Sequence, residues 1–371
     1  MKSLFNITFI YCILFLSFAL AVFPLITFML NMQEMSPYIY IIATSILLYI
    51  IGLISGQLTF PSDLYYKIFL IIVLIITFSF FYNLDNKFAE RKYFLFMSNG
   101  FLLTFFFGSI NKYYLDKVAQ GIIIFSIIQT IIIISFWYIW GGYEIRWFIG
   151  GKLHIDTILL SRVIGLGIIV TYIISKKYIS IIIIPYLLFF MILLNEVGPI
   201  LSVFLILSLY NLKKYEDISF GFALILSILI IFLAPKVIPD LQLNSMEVDP
   251  RIDIYTTNID YFLNNPIIGI GIAGQSKIIG YYQSAHNIFI EIASEYGLIG
   301  LLPFIVMVVL LFKKFFEFKF NLWGYLWLYS FFIVQFSGDI STNSVFWIFS
   351  TLFILETTPI QNDIYLLEII S

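Results

Sequence analysis

Residues 64–82 read LYYKIFLIIVLIITFSFFY, a run whose only charge is Lys67. A helix that crosses the roughly 30 Å hydrocarbon core of a bilayer needs about 20 residues of this kind. Eleven more stretches share the character, near 4–30, 37–54, 93–110, 118–140, 157–174, 178–194, 197–210, 217–234, 298–312, 322–338 and 342–356. The expectation is an all-α, polytopic membrane protein of about twelve transmembrane helices, one integral domain over 1–371. Composition agrees: 61% of residues are hydrophobic and only 11% charged, with a mean hydropathy of +1.01. An ordinary soluble domain is about 25% charged. A soluble enzyme and a disordered chain are thereby excluded. The net charge of −2 carries no basic signature, which removes nucleic acid as a partner. A lone cysteine, Cys12, excludes a disulfide framework and a cysteine metal site. The first run follows Lys2 without a small-residue cleavage site and reads as a retained helix.

Orientation follows from Lys and Arg in the short connections. With both termini inside, eleven of the twenty basic residues are cytoplasmic, ending in Lys313, Lys314 and Lys319. The outer side then carries nine: Lys87, Arg91, Lys92, Arg146, Lys152, Arg162, Lys236, Arg251 and Lys277. The weak point is 83–92, where three basic residues stand on the wrong side. All four arginines fall on the outer side, while every cytoplasmic basic residue is Lys. Lys suffices for topology; Arg suits two-pronged binding of phosphate or carboxylate.

The one long hydrophilic segment, 235–297, lies outside. Long loops in compact proteins are usually functional. Asp249-Pro250 is a helix start. Ile252, Tyr255, Ile259 and Phe262 then repeat at helical spacing, opposite Asp253, Thr257, Asp260 and Asn264. This predicts an amphipathic helix lying on the membrane surface or the bundle, with Arg251 in its first turn. Gly269-Ile270-Gly271-Ile272-Ala273-Gly274 matches GxGxxG, but no strand–helix alternation surrounds it, so it reads as a glycine turn for close backbone approach rather than a nucleotide site. A second loop helix is expected near 285–296, capped by Ser284 and ended by Gly297. Asn287, Glu291 and Glu295 form one stripe along it, and His286 stands in its first turn. The other histidine is His154; two histidines without HxxE or HExxH spacing point to no metal site. In one regular helix His286 and Glu295 would point about 180° apart. They share a site only if the helix starts after His286 or bends.

Three stretches, Asn265-Pro266-Ile267-Ile268-Gly269-Ile270-Gly271, Ala285-His286-Asn287 and Glu295-Tyr296-Gly297-Leu298-Ile299-Gly300, resemble the signature of the O-antigen ligase and polymerase superfamily. The upstream Arg251 and Ser161-Arg162-Val163-Ile164-Gly165 fit the same pattern. One departure is clear. Many members carry a Ser-Arg-Gly turn between mid-chain spans, where this chain has Asn195-Glu196-Val197-Gly198-Pro199, so no role is carried over for that Arg.

The resemblance implies a GT-C-like glycosyltransferase of the bacterial cytoplasmic (inner) membrane with a periplasmic, extracytoplasmic active loop. It implies metal-independent, inverting transfer of a glycan from undecaprenyl diphosphate to an acceptor hydroxyl, without a cofactor. Arg162 and Arg251 are the candidates for the diphosphate, since charge on the leaving group must be stabilised. His286 is the first candidate for proton removal from the acceptor, with Glu295 as alternative base or orienter. Asn287, Gly269 and Gly271 support the site. Short cytoplasmic segments and no added outer domain favour a polymerase of lipid-linked repeat units into O-antigen, capsule or exopolysaccharide. The alternative is a ligase that passes the glycan to lipid A-core, in lipopolysaccharide assembly, or to protein. Implied partners are the lipid-linked donor, the acceptor glycan, membrane lipids, a flippase and a chain-length regulator. A transporter fits less well, because mid-span charges are scarce and no internal repeat is visible.

Overall fold

A computed structural model describes residues 61, 63–110, 112–139, 157–194, 196–215, 250–279, 285–318, 321–335 and 339–358. Regular structure among them is entirely helical: α1 (Leu64–Phe81), α2 (Lys87–Phe96), α3 (Leu103–Gly108), α4 (Leu115–Ile139), α5 (Thr157–Ile174), α6 (Lys177–Leu194), α7 (Val197–Tyr215), α8 (Pro250–Asn264), α9 (Gln275–Ile279), α10 (Ile288–Glu317), α11 (Leu322–Ile333) and α12 (Ser344–Thr357). A π-helical turn, Met97–Leu102, joins α2 to α3.

Among the described residues, four helices are long and apolar enough to cross a membrane: α1, α4 over Leu115–Ser135, α6 and α10. Helices α5, α7, α11 and α12 have shorter apolar stretches. The 12 residues of α11 rise about 18 Å, below the roughly 30 Å hydrocarbon thickness. The helix expected over 322–338 therefore ends early, at Ile333. The expected spans 4–30, 37–54 and 217–234 lie outside the described residues.

The apolar helices turn hydrophobic side chains outward. Leu74 on α1, Ile182 on α6 and Leu302 on α10 are all more than half exposed, while Ser126, Gln129, Thr130 and Asn211 are buried. Water would penalise that arrangement; lipid favours it. Helix α1 packs on α10, α11 on α12, and α4, α5 and α6 on one another, with α7 between α5 and α11. Trp347 anchors the centre, its ring centroid 5.1 Å from Phe69 and 5.8 Å from Phe96. At one end Lys314 of α10 bonds Asp63, the N-cap of α1, at 3.4 Å, so the two helices run antiparallel. Lys112 donates to the Glu356 carbonyl.

The segment 285–296 is not a separate loop helix. It is the first part of α10, capped by Asn287, whose side chain accepts from Phe289 N at 3.0 Å and Ile290 N at 3.1 Å. The expected cap, Ser284, lies outside the described residues. Gly297 does interrupt the helix, at φ 60° and ψ −158°. In an unbroken helix, Leu298 and Ile299 N–H would bond the carbonyls of Ser294 and Glu295. Here the segment 266–271 supplies both halves. Leu298 N donates to Pro266 O (2.8 Å) and Ile299 N to Ile267 O (3.2 Å), while Ile270 N donates to Ser294 O (2.9 Å) and Gly271 N to Glu295 O (2.8 Å). Backbone groups released by such a break and buried from water must find partners, and here protein supplies them. A Cβ on residue 297 would lie 2.4 Å from Ile267 C and O.

The amphipathic helix α8 also turns a different face inward. Ile254 and Asn258 are buried, whereas Ile259 and Leu263 are 44% and 65% exposed. The polar Asn258 goes inside because Ser294 of α10 donates to it at 3.0 Å.

Gly297→Ala meets both the left-handed φ and the contact with residue 267. It is expected to destabilise the protein by at least about 1–3 kcal/mol. Leu302→Ala, at a 56% exposed position, should lower stability far less. Thermal unfolding in detergent compares the two.

Candidate functional site

The end of the molecule where α1 finishes and α10 begins collects four irregular or capped segments: 82–86, 265–274, 285–287 and 339–343. The stripe formed by Glu291 and Glu295 faces inward there, both 3% exposed or less. Lys92 of α2 meets them. Its ammonium donates to Glu291 Oε1 and, at 2.7 Å, to Glu295 Oε1. Lys92 is itself buried. Its field is also shaped by Asp339. One ammonium thus serves two carboxylates in a desolvated setting, where charges persist only when paired and hydrogen-bonded.

Each carboxylate also holds a turn. Glu295 Oε1 accepts the N–H of Ala273 at 2.9 Å. Glu291 accepts the N–H of Ile340 at 3.1 and 3.0 Å through its two oxygens. Ala273 has φ 49°, an uncommon value for a residue with a Cβ. Asn83 and Asn86, between α1 and α2, fasten the same turn. Asn83 Nδ2 donates to Ile272 O (3.3 Å), and Asn86 Nδ2 donates to Ala273 O (3.2 Å) and Ser276 Oγ (2.8 Å). The Ile272 N–H donates to Ser79 Oγ at 2.7 Å. On the surface Lys277 pairs with Asp85 at 2.7 Å; that hydrogen bond holds the Asp85 carboxyl below its usual range.

The second turn is organised by Asp339, whose Oδ1 accepts from Ser341 N (2.9 Å), Ser341 Oγ (2.6 Å) and Thr342 N (2.8 Å). Trp347 Nε1 donates to Ile340 O at 3.0 Å. Arg162, buried on α5, donates from one guanidinium nitrogen to Asn343 Oδ1 at 2.8 Å.

The residues singled out from the sequence therefore have definite places. Glu295 is committed to Lys92 and Ala273, which suits an orienter better than a free base. Gly269 has φ 68°, and a Cβ there would lie 2.4 Å from Glu295 C; Gly271 gives its N–H to Glu295 O. Asn287 caps α10 and donates to Gln335 Oε1 at 3.2 Å. His286 is half-buried and held at φ 54°, before the helix begins at Ile288. The geometry that would set it 180° from Glu295 does not arise. Arg251 is the second residue of α8, but its side chain and all of His154 lie outside the described residues. Lys92, Asn83, Asn86 and the 339–343 turn are the members that the sequence did not reveal, while Glu291 was visible in the helical stripe without its partner. The signal for Lys92 was present as a basic residue on the side where topology did not want one. Among the described residues no three of His, Cys, Asp and Glu are arranged to hold a metal ion.

Beside this end, a lateral cavity of about 490 Å³ opens between α1 and the glycine turn, lined by Ile71, Leu74, Phe78, Ile268, Ile270 and Ile299.

Glycine adopts a positive φ without strain, so His286→Gly should keep stability within about 1 kcal/mol of the parent. Asn287→Ala loses a cap to two N–H groups and should cost about 0.5–2 kcal/mol. Thermal unfolding of the two variants checks the assignment of strain and cap.

Neither a protein-family model nor a curated protein matches this chain.

Proposed function

We propose that the chain is a membrane glycosyltransferase that polymerises undecaprenyl-diphosphate-linked repeat units outside the cytoplasmic membrane. The observation that carries this reading is the interlock of 266–271 with the break at Gly297. These are two of the stretches on which the resemblance to the O-antigen ligase and polymerase superfamily rests, and the third, 285–287, adjoins them at the same end. In the proposed reaction the acceptor hydroxyl oxygen attacks the anomeric carbon and the bond from that carbon to the diphosphate oxygen breaks. The acceptor proton goes to His286, and the electron pair leaves with undecaprenyl diphosphate. Arg162 and Arg251 stabilise the charge on that leaving group. The cavity beside α1 suits the hydrocarbon chain of such a donor, being apolar and open to the side.

The burial of Lys92 supports the orientation. Neutralised by Glu291 and Glu295, it no longer counts as a loop cation, which leaves eight of the nine outer basic residues against eleven inside. A ligase remains the second reading, because it shares the donor and differs only in acceptor. Incubating membranes with a defined lipid-linked oligosaccharide, with and without lipid A-core, separates the two. Polymer formed from the donor alone supports the polymerase; product formed only with lipid A-core supports the ligase; no product from either overturns both.

Two predictions follow from the assigned roles. His286→Ala should abolish transfer at normal protein abundance, since a positioned base accounts for about 10²–10⁴-fold in rate; Arg251→Lys should fail to restore function, because the guanidinium fork is lost. Glycan chain length normalised to protein level is the readout, and near-parental chains in either variant remove that residue from the mechanism. For topology, Lys277→Cys, at a 37% exposed side chain, should react with an impermeant thiol reagent in intact cells, whereas Glu317→Cys, 52% exposed, should react only after the cells are opened. The opposite pattern would invert the orientation.

A further inference from the structure

We propose that Lys92 is a positioning residue: by bridging Glu291 and Glu295 it fixes the turns 269–274 and 339–343 against the helix start that carries His286 and Asn287, and so sets turnover without touching substrate. The inference rests on the function proposed above.

Burying three charged side chains is a poor way to hold helices together. Replacing a buried ion cluster with well-packed apolar residues is often neutral or stabilising. Ionisable groups within an apolar helical bundle are functional by default expectation. What these charges do that methyl groups cannot is hold main-chain N–H groups in direction. The two N–H groups belong to Ala273 and Ile340, neither of which lies in a regular helix. Ala273 is held at φ 49°, a conformation that persists for a residue with a Cβ only where its surroundings enforce it.

Each turn then passes the constraint on. The first continues into the segment that fills the break in α10. The second ends at Asn343, the acceptor for Arg162, and is tied to the core through Trp347. Lys92 therefore stands upstream of the glycine turn, the Arg162 contact and the first turn of α10 together. The groups facing it are Glu291 and Glu295 from α10 and Asp339 from the second turn. Removing the ammonium leaves three carboxylates without that cation, and the like charges push the turns apart.

The test uses the full chain, with Lys92→Arg, Lys92→Met and the neutral triple Lys92→Met/Glu291→Gln/Glu295→Gln. Amide hydrogen exchange of peptides covering 269–274 and 339–343 is measured beside kcat and KM for the lipid-linked oligosaccharide. In Lys92→Met both turns should exchange about tenfold faster or more, while the 300–312 part of α10 stays protected. Its kcat should fall about 100-fold with KM little changed, as expected when reacting groups are misplaced rather than removed. Lys92→Arg should recover part of kcat. If Lys92→Met fails to accumulate, the neutral triple is read instead. It removes the repulsion and keeps the shapes, and should fold yet retain fast-exchanging turns and a low kcat. Parental kcat in whichever variant is read, or parental protection of both turns, overturns the proposal. A parental protein that makes no product overturns the proposed function instead, and the exchange measurement still decides whether Lys92 fixes the turns.

Discussion

The break in α10 is the constraint on which the rest depends. A helix that crosses an apolar medium cannot leave its N–H and C=O groups unmet. At Gly297 the chain abandons helical geometry, and 266–271 meets four of the groups that the break releases, two on each side. This explains why the long hydrophilic segment returns to the bundle. It also places Glu295, the residue two before the break, directly under the glycine turn whose Ala273 N–H it accepts. The site grows from that junction outward, through Lys92 to α2 and through Glu291 to the turn before α12.

Much of the fold was legible in the sequence because its signal is local. The runs at 64–82, 157–174 and 178–194 become α1, α5 and α6 almost residue for residue, since hydrophobic length alone decides them. Where a decision depends on tertiary partners the reading failed. The apolar stripe of α8 leaves open whether it meets the membrane surface or the bundle, and the face that turns inward carries Asn258, buried because Ser294 donates to it. The helix over 322–338 stops at Ile333, where nothing in the apolar pattern marks an end.

The site was legible in part for the same reason. Gly269, Gly271 and Gly297 announced close backbone approach, and the stripe of Asn287, Glu291 and Glu295 was visible from helical spacing. The partner of that stripe was not, because Lys92 lies 199 positions before Glu291. It entered the reading only as an awkward charge. Asn83 and Asn86 were hidden likewise, having the look of ordinary turn and cap residues while reaching 187 positions or more along the chain.

The segment that fills the break is held there mostly by its main chain. The side chains of Pro266, Ile267 and Ile268 are exposed, and the bonds to α10 come from carbonyl and amide groups that every residue, or nearly every residue, possesses. Such a device is tolerant of identity and intolerant of number. Descendants of this gene can exchange apolar side chains at 267 and 268 with little consequence, but a one-residue insertion or deletion between 266 and 271 shifts two donors and two acceptors out of register at once. Evolution of this end of the protein should therefore run through substitutions on a frozen length, with variation in length confined to connections outside the junction.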